Sequence, residues 1–203
     1  MVKEMNILKM INLERILMKF LKILLLFIFL PMGCDDDDNP VVQVPSECSV
    51  GFVENPNYQE DEDHQFCVPE EFVFHISALS AYYLFESTYF DENLILDDDW
   101  IASFNEDVCV GAIRWGDCPE IGSCVLIASG SISGDPTENS SGYLETGDTP
   151  EFKIYIATEN QVHDASTFET ISTFNNLVTQ ELNHPLVACS DENETPTING
   201  NCD

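Results

Sequence analysis

The sequence predicts a mainly β protein, an antiparallel β-sandwich with disulfide-stapled loops. Three observations predict it. After residue 66, apolar and polar residues alternate with a period of two in several short stretches, which is strand periodicity. Turn signals separate those stretches at the short intervals of a sandwich. The 203 residues include eight cysteines, a usage that suggests disulfides in an exported chain.

Taken in order, Phe72, Phe74, Ile76 and Ala78 alternate with Val73, His75 and Ser77 and open the main domain as a strand near Pro69. Ala81-Tyr82-Tyr83-Leu84-Phe85 carries bulk on both faces and reads as a central strand. Trp100, Ala102 and Phe104 define the next strand, Val108, Val110 and Ala112 the one after, and Asn105-Glu106-Asp107 is a hairpin-length connection. Cys124-Val125-Leu126-Ile127-Ala128 is a further apolar strand. Gly134-Asp135-Pro136 and Gly147-Asp148-Thr149-Pro150 are turns. Phe152, Ile154 and Ile156 alternate with Lys153 and Tyr155. Residues 165–182 fit one strand, two strands or a helix. The expected organisation is a signal segment over 1–33, an acidic tether over 34–47, a stapled acidic loop over 48–68, the β-sandwich over 69–185 and a polar C-terminal tail over 186–203.

Residues 23–33 form an apolar run of about ten residues, too short to cross a bilayer as a helix, which takes about 20. The run suits the h-region of a signal peptide, with Lys19 and Lys22 as its positive n-region. Met18 is then a candidate true start, because Glu4 and Glu14 are foreign to such an n-region. Gly33-Cys34 followed by Asp35-Asp36-Asp37-Asp38 resembles the lipid-attachment site of a bacterial lipoprotein. That resemblance implies cleavage before Cys34, a lipid-modified cysteine and anchoring at the outer membrane or cell surface, since two acyl signals hold a protein stably on a membrane. The alternative is an ordinary secreted protein with Cys34 unmodified.

The full chain carries 37 acidic and 7 basic residues, a formal charge of −30. Two acids and five cations precede Cys34, so the remainder keeps 35 acids against Arg114 and Lys153, a formal charge of −33. A nucleic-acid partner is excluded, because phosphate binding needs basic patches that displace counterions. Cations, basic partners and a solvated surface in salty water remain open.

Setting Cys34 aside leaves seven cysteines. Proximity in sequence suggests the pairs Cys48–Cys67, Cys118–Cys124 and Cys189–Cys202, with Cys109 as the free thiol. Cys109 lies in the apolar run Val108-Cys109-Val110, where a thiol behaves as a small hydrophobe. Zinc is disfavoured, since the chain has no CxxC pair and its histidines are scattered.

The segment Asp98-Asp99-Trp100-Ile101-Ala102-Ser103-Phe104-Asn105-Glu106-Asp107-Val108-Cys109-Val110-Gly111-Ala112, followed by Arg114-Trp115, is similar to a module of secreted and surface proteins of marine and Bacteroidetes-type bacteria. That module reads "gDWIGAFNGDVCVGA-x-x-W". Its second motif, "GY-x-x-x-GD-x-P-x-FKIY", matches Gly142-Tyr143-Leu144-Glu145-Thr146-Gly147-Asp148-Thr149-Pro150-Glu151-Phe152-Lys153-Ile154-Tyr155. The resemblance covers about residues 72–157 and implies a secreted β module with no established chemistry. Trp100, Phe104 and Val110 are expected in the core, Gly111 at a close backbone approach, and Gly147-Asp148 in the turn before the Phe152 strand. Glu106 stands where the module has a glycine, a position that usually supplies φ > 0.

Calcium is the leading candidate ligand chemistry, because it takes about 6–8 oxygens from carboxylates, carbonyls and water. Asp97, Asp99, Asn105 and Asp107, with Asp98 beside them, lie at the ends and turn of one hairpin. Catalysis has little support. His64, His75, His163 and His184 are isolated. Gly130-Ser131-Ile132-Ser133-Gly134 has isoleucine at the nucleophile position of a GxSxG elbow. A Cys109–His75 dyad competes with a buried core thiol. Tyr82, Tyr83, Tyr89, Trp100 and Trp115 are the supply for a sugar-binding platform, competing with core roles. The reading is a membrane-anchored surface lipoprotein with a non-catalytic binding or adhesion module for a surface glycan or protein ligand, stabilised by calcium in one version. The alternatives are a hydrolase-associated carbohydrate-binding domain and a structural acidic surface protein.

Overall fold

β-Branched and aromatic residues are frequent after residue 66, and they favour strands. The computed structural model describes residues 47–58, 65–119, 122–134, 137, 139–191 and 194–203. The signal segment, Cys34 and the tether lie outside the described residues. Chain order gives β1 (Phe52–Glu54), β2 (Cys67–Pro69), β3 (Ser80–Phe85), β4 (Thr88–Phe90), β5 (Asn93–Leu94), β6 (Trp100–Asn105), β7 (Val108–Arg114), β8 (Cys124–Ser129), β9 (Glu151–Ile156), β10 (Gln161–Ser166), β11 (Thr179–Leu182) and β12 (Leu186–Ala188).

Ten of these strands make the sandwich. A seven-stranded sheet runs β5-β4-β12-β10-β9-β6-β7, and a three-stranded sheet runs β11-β3-β8. Most pairs are antiparallel, while β11 with β3 and β12 with β4 are parallel. Tyr83 and Phe85 from β3, Leu126 from β8, and Phe152 and Ile154 from β9 meet in the core between the sheets. The Phe152 ring meets the rings of Tyr83 and Phe85 edge-on, with centroids 5.5 and 5.3 Å apart.

β6 is buried on both faces. Ile101 joins the core between the sheets, whereas Trp100, Ala102 and Phe104 join a second cluster on the outer face with Phe72, Cys109 and Tyr155. The two-stranded flap β1-β2 covers that cluster, with Phe52 edge-on to Tyr155 at 5.5 Å and Val68 fully buried. The expected stapled loop is thus partly a layer of the fold. Its acidic middle, residues 59–64, lies outside the described residues.

The three bridges are Cys48–Cys67, Cys118–Cys124 and Cys189–Cys202, with Cα separations of 5.7, 5.0 and 5.8 Å, and Cys109 is free and buried. The expected pairing holds. The first bridge closes the flap and the second ties the β7–β8 connection to the start of β8. The third closes the C-terminal tail, whose Gly200 presses on the Tyr89 ring closely enough that a Cβ there would lie 2.9 Å away.

Two expectations are corrected. Residues 72–78 do not form a strand. A 3-10 turn over Glu70–Phe72 buries Phe72, and Ile76 is 51% exposed. The segment finds a side chain where a strand would find a ladder, because the Asn57 amide donates to Phe74 O and its oxygen accepts from Ile76 N–H, at 2.9 and 3.0 Å. The sandwich also continues past residue 185. Leu186, Val187 and Ala188 are buried in β12 between β4 and β10, a strand too short to show alternation. In the ambiguous stretch 165–182, the described strands are the end of β10 and all of β11, joined by an irregular connection.

Glu106 adopts φ 55° in the tight β6–β7 turn, a left-handed conformation that glycine would take more readily. Gly111 is where β7, an edge of the long sheet, meets β8 of the short one. A Cβ on Gly111 would lie 1.6 Å from Ile127 O, and Ser103 Oγ bonds that same carbonyl at 3.2 Å. Gly111→Ala should therefore cost about 3 kcal/mol or more by overpacking against backbone, read as a large fall in the denaturant midpoint. Glu106→Gly should instead raise stability by about 0.5–1 kcal/mol, because relief of left-handed strain exceeds the added unfolded-state entropy. A thermal melt checks the sign.

Candidate functional site

Most of the acidic hairpin residues have a structural task, and β6 keeps the two ends of the set apart. Asp97 and Asp99 precede its first residue, whereas Asn105 and Asp107 lie at its far end. Six residues of strand at about 3.3 Å each put roughly 20 Å between the two groups. Asp99 is 3% exposed, and its carboxylate accepts from Leu96 N–H at 2.7 Å and Ala157 N–H at 2.9 Å, tying the approach to β6 to the β9–β10 turn. Asp98 pairs with the Arg114 guanidinium. The Asp97 carbonyl accepts from Gly116 N–H at 2.9 Å. The Asn105 amide donates to Gly142 O at 2.9 Å, and Asp107 sits exposed in the turn. Asp97, Asp99, Asn105 and Asp107 therefore share no centre for one calcium ion, and the expected ligand set is not assembled. Among the described residues, Asp91, Glu194 and Cys202 do converge. The Cys202 sulfur belongs to a disulfide and Asp91 accepts from Ser190 N–H at 2.8 Å, which leaves too few ligands for calcium.

The candidate nucleophile is held as a core side chain. Burial pushes the Cys109 thiol up to about 12, against smaller opposing pulls from a backbone contact at Gly111 and from the Lys153 ammonium. His163 packs on the Phe90 ring with centroids 4.6 Å apart. His184 meets Glu169 through its ring and its backbone N–H. Burial raises the Glu169 carboxyl, but hydrogen bonds from His184 and Asn183 outweigh it and hold the group below its ordinary value. His64 lies outside the described residues. In the Gly130-Ser131 segment, Gly130 bridges to Leu144 and Ser131 N–H bonds Leu144 O, so this stretch ends β8 as an extended chain.

The five residues weighed as a sugar platform are occupied elsewhere. Tyr83 and Trp100 are buried, and Tyr82, Tyr89 and Trp115 are half-buried within strands or turns. Tyr83 donates its hydroxyl proton to Ser172 O.

An open cleft of about 160 Å3 lies at the end of the sandwich near the Asn57 clamp, lined by Asn57, His75, Ile76, Ser77, Ile132, Thr137, Asn139 and Ser140. Its walls are tied down from behind. Ser77 Oγ donates to Gly130 O at 2.7 Å, Ile132 N–H donates to Ser140 Oγ at 3.1 Å, and His75 N–H donates to the Tyr143 hydroxyl at 2.6 Å. Among the described residues, no hydrogen-bond partner engages the His75 imidazole or the Asn139 side-chain amide. The sequence did not disclose this cleft. Asn57 reads as one residue of an Asn-Pro-Asn turn and His75 as the polar position of a strand, and neither pattern shows that two distant segments meet.

No known protein family, curated protein or solved structure matches this chain. The function therefore has to be argued from the site itself.

The Asp99 geometry yields a test of its structural role. Asp99→Ala leaves the Leu96 and Ala157 N–H groups without their acceptor and should cost about 2–4 kcal/mol. Urea unfolding of the variant checks this, and adding calcium should not rescue it.

Proposed function

We propose that the chain is an exported, lipid-anchored surface protein of the outer membrane or cell surface, whose β-sandwich binds a ligand and performs no catalysis. The fate of the cysteines carries the reading. Six of them close three bridges, which persist in oxidising compartments, and Cys109 is sealed in the core. Cys34 is the cysteine left over, and it stands between an apolar export-type run and four aspartates. That position suits a thioether-linked lipid with the acidic segment as a tether. The resemblance of residues 72–157 to a secreted surface module points the same way.

A binding role, whether for a glycan or a protein, suits a rigid scaffold that carries a pre-formed polar cleft. The cleft favours the carbohydrate-binding version over adhesion through calcium, whose candidate ligands stand at opposite ends of β6. The structural acidic-surface version draws support from the formal charge of −30.

Fractionation with intact mass spectrometry tests the anchor. The wild-type protein should partition with membranes and carry an acyl mass increment, and Cys34→Ala should release it to the soluble fraction without that increment. A wild-type mass lacking the increment would overturn the anchoring.

A further inference from the structure

The short sheet turns one face to the core and presents the other to its surroundings. On the inner side, Tyr83, Leu126 and Leu182 join the core between the sheets. Strand alternation then puts Tyr82 and Leu84 of β3, Val125 and Ile127 of β8, and Thr179 and Glu181 of β11 on the outer side. Register arranges them in two rows. Thr179, Tyr82 and Ile127 lie side by side in one, and Glu181, Leu84 and Val125 in the next. The four apolar members belong to neither core cluster, and Val125 is 41% exposed. The long sheet has its outer apolar face closed by the flap. The main packing partners of β3, β8 and β11 among the described residues are one another and the strands β6 and β7 of the long sheet.

This face also departs from the charge of the molecule. The chain has 37 acids, yet β3, β8 and β11 carry one carboxylate between them, Glu181, and no lysine or arginine. Depletion of charge around an apolar centre is the pattern of a protein interface. A basic partner would find its carboxylates elsewhere on the molecule. The surface that suits this one is equally apolar and uncharged, and a second copy of the chain presents it.

The two rows make the face complementary to itself. A two-fold axis across the strands, between the rows, sets Tyr82 over Leu84 of the other copy, Ile127 over Val125 and Thr179 over Glu181. Each Glu181 carboxylate then meets a hydroxyl and not its own like, and the contact closes at two copies. Three strands about 4.8 Å apart, with six residues at about 3.3 Å each, give a footprint of roughly 300 Å2 per copy. A standard interface buries about 800 Å2 per partner, so this contact is weak.

We propose that the outer face of the β11-β3-β8 sheet is a self-association surface, on which two copies pack face to face about this axis into a weak dimer. The proposal depends neither on the anchor nor on any ligand.

The experiment is sedimentation equilibrium of the mature chain from residue 34 onwards, carrying Cys34→Ala so that no acyl chain drives association. The medium is 1 M sodium chloride, where charge is screened over about 3 Å. At up to about 1 mM protein, the scale of a weak complex, a reversible monomer–dimer equilibrium is expected. Val125→Glu puts a charge among the apolar residues of the face and should raise the dissociation constant at least about tenfold. Val50→Glu adds the same charge beside the flap, where Val50 is 96% exposed, and should leave the dimer unchanged. Glu181→Gln removes the carboxylate of the face itself and should tighten the dimer about two- to fivefold. All three variants should keep the parent melting temperature, since each altered side chain points away from the core. A chain that stays monomeric, assembles beyond the dimer, or responds alike to Val125→Glu and Val50→Glu overturns the proposal. Flotation of the monomer on phosphatidylcholine vesicles, abolished by Val125→Glu alone, would give the face to a lipid surface and overturn it too.

Discussion

Trp100, Phe104 and Tyr155 point away from the core between the sheets, and the fold depends on covering them. A strand buried on one face is served by one partner sheet, but β6 and β9 carry large apolar side chains on both faces. The three-stranded sheet covers only the inner side. The outer side is closed by two strands of three residues each, β1 and β2, together with Phe72. A two-stranded ribbon has little stability alone. The Cys48–Cys67 bridge supplies what the ribbon lacks by removing loop freedom from the unfolded chain, an effect of about 3 kcal/mol for loops of this size. The packing demand of β6 thus leads through a disulfide to an oxidising compartment, and a statement about packing becomes one about location.

Much of this was legible in the sequence for local reasons. The strands at Trp100, Val108, Cys124 and Phe152 show themselves by alternation or by unbroken apolar runs. The bridges follow proximity along the chain, since each joins cysteines no more than 19 residues apart. Gly111 was expected at a close approach and stands against the Ile127 carbonyl. The misreadings share a cause in long-range contact. Residues 72–78 alternate like a strand, but their polar partner is one asparagine side chain from the flap. β12 has only three residues, and it belongs to the sandwich because β4 and β10 lie on either side of it. The acids around β6 are neighbours in sequence and are separated by the extended strand between them. The cleft was invisible because its walls come from three stretches that no short-range pattern connects.

Arg114 and Lys153 are the basic residues of the described part, and each stands against aspartate: Arg114 beside Asp98 and Asp117, Lys153 beside Asp164. Among the described residues, then, both cations are engaged by aspartates, and two copies of this part meet with acidic charge predominating. The reach of that repulsion follows the Debye length, about 30 Å at 0.01 M salt, about 8 Å at physiological ionic strength and about 3 Å at 1 M. Two copies would stand apart in dilute medium and draw close in brine, so salinity sets how near this protein lets a second copy come.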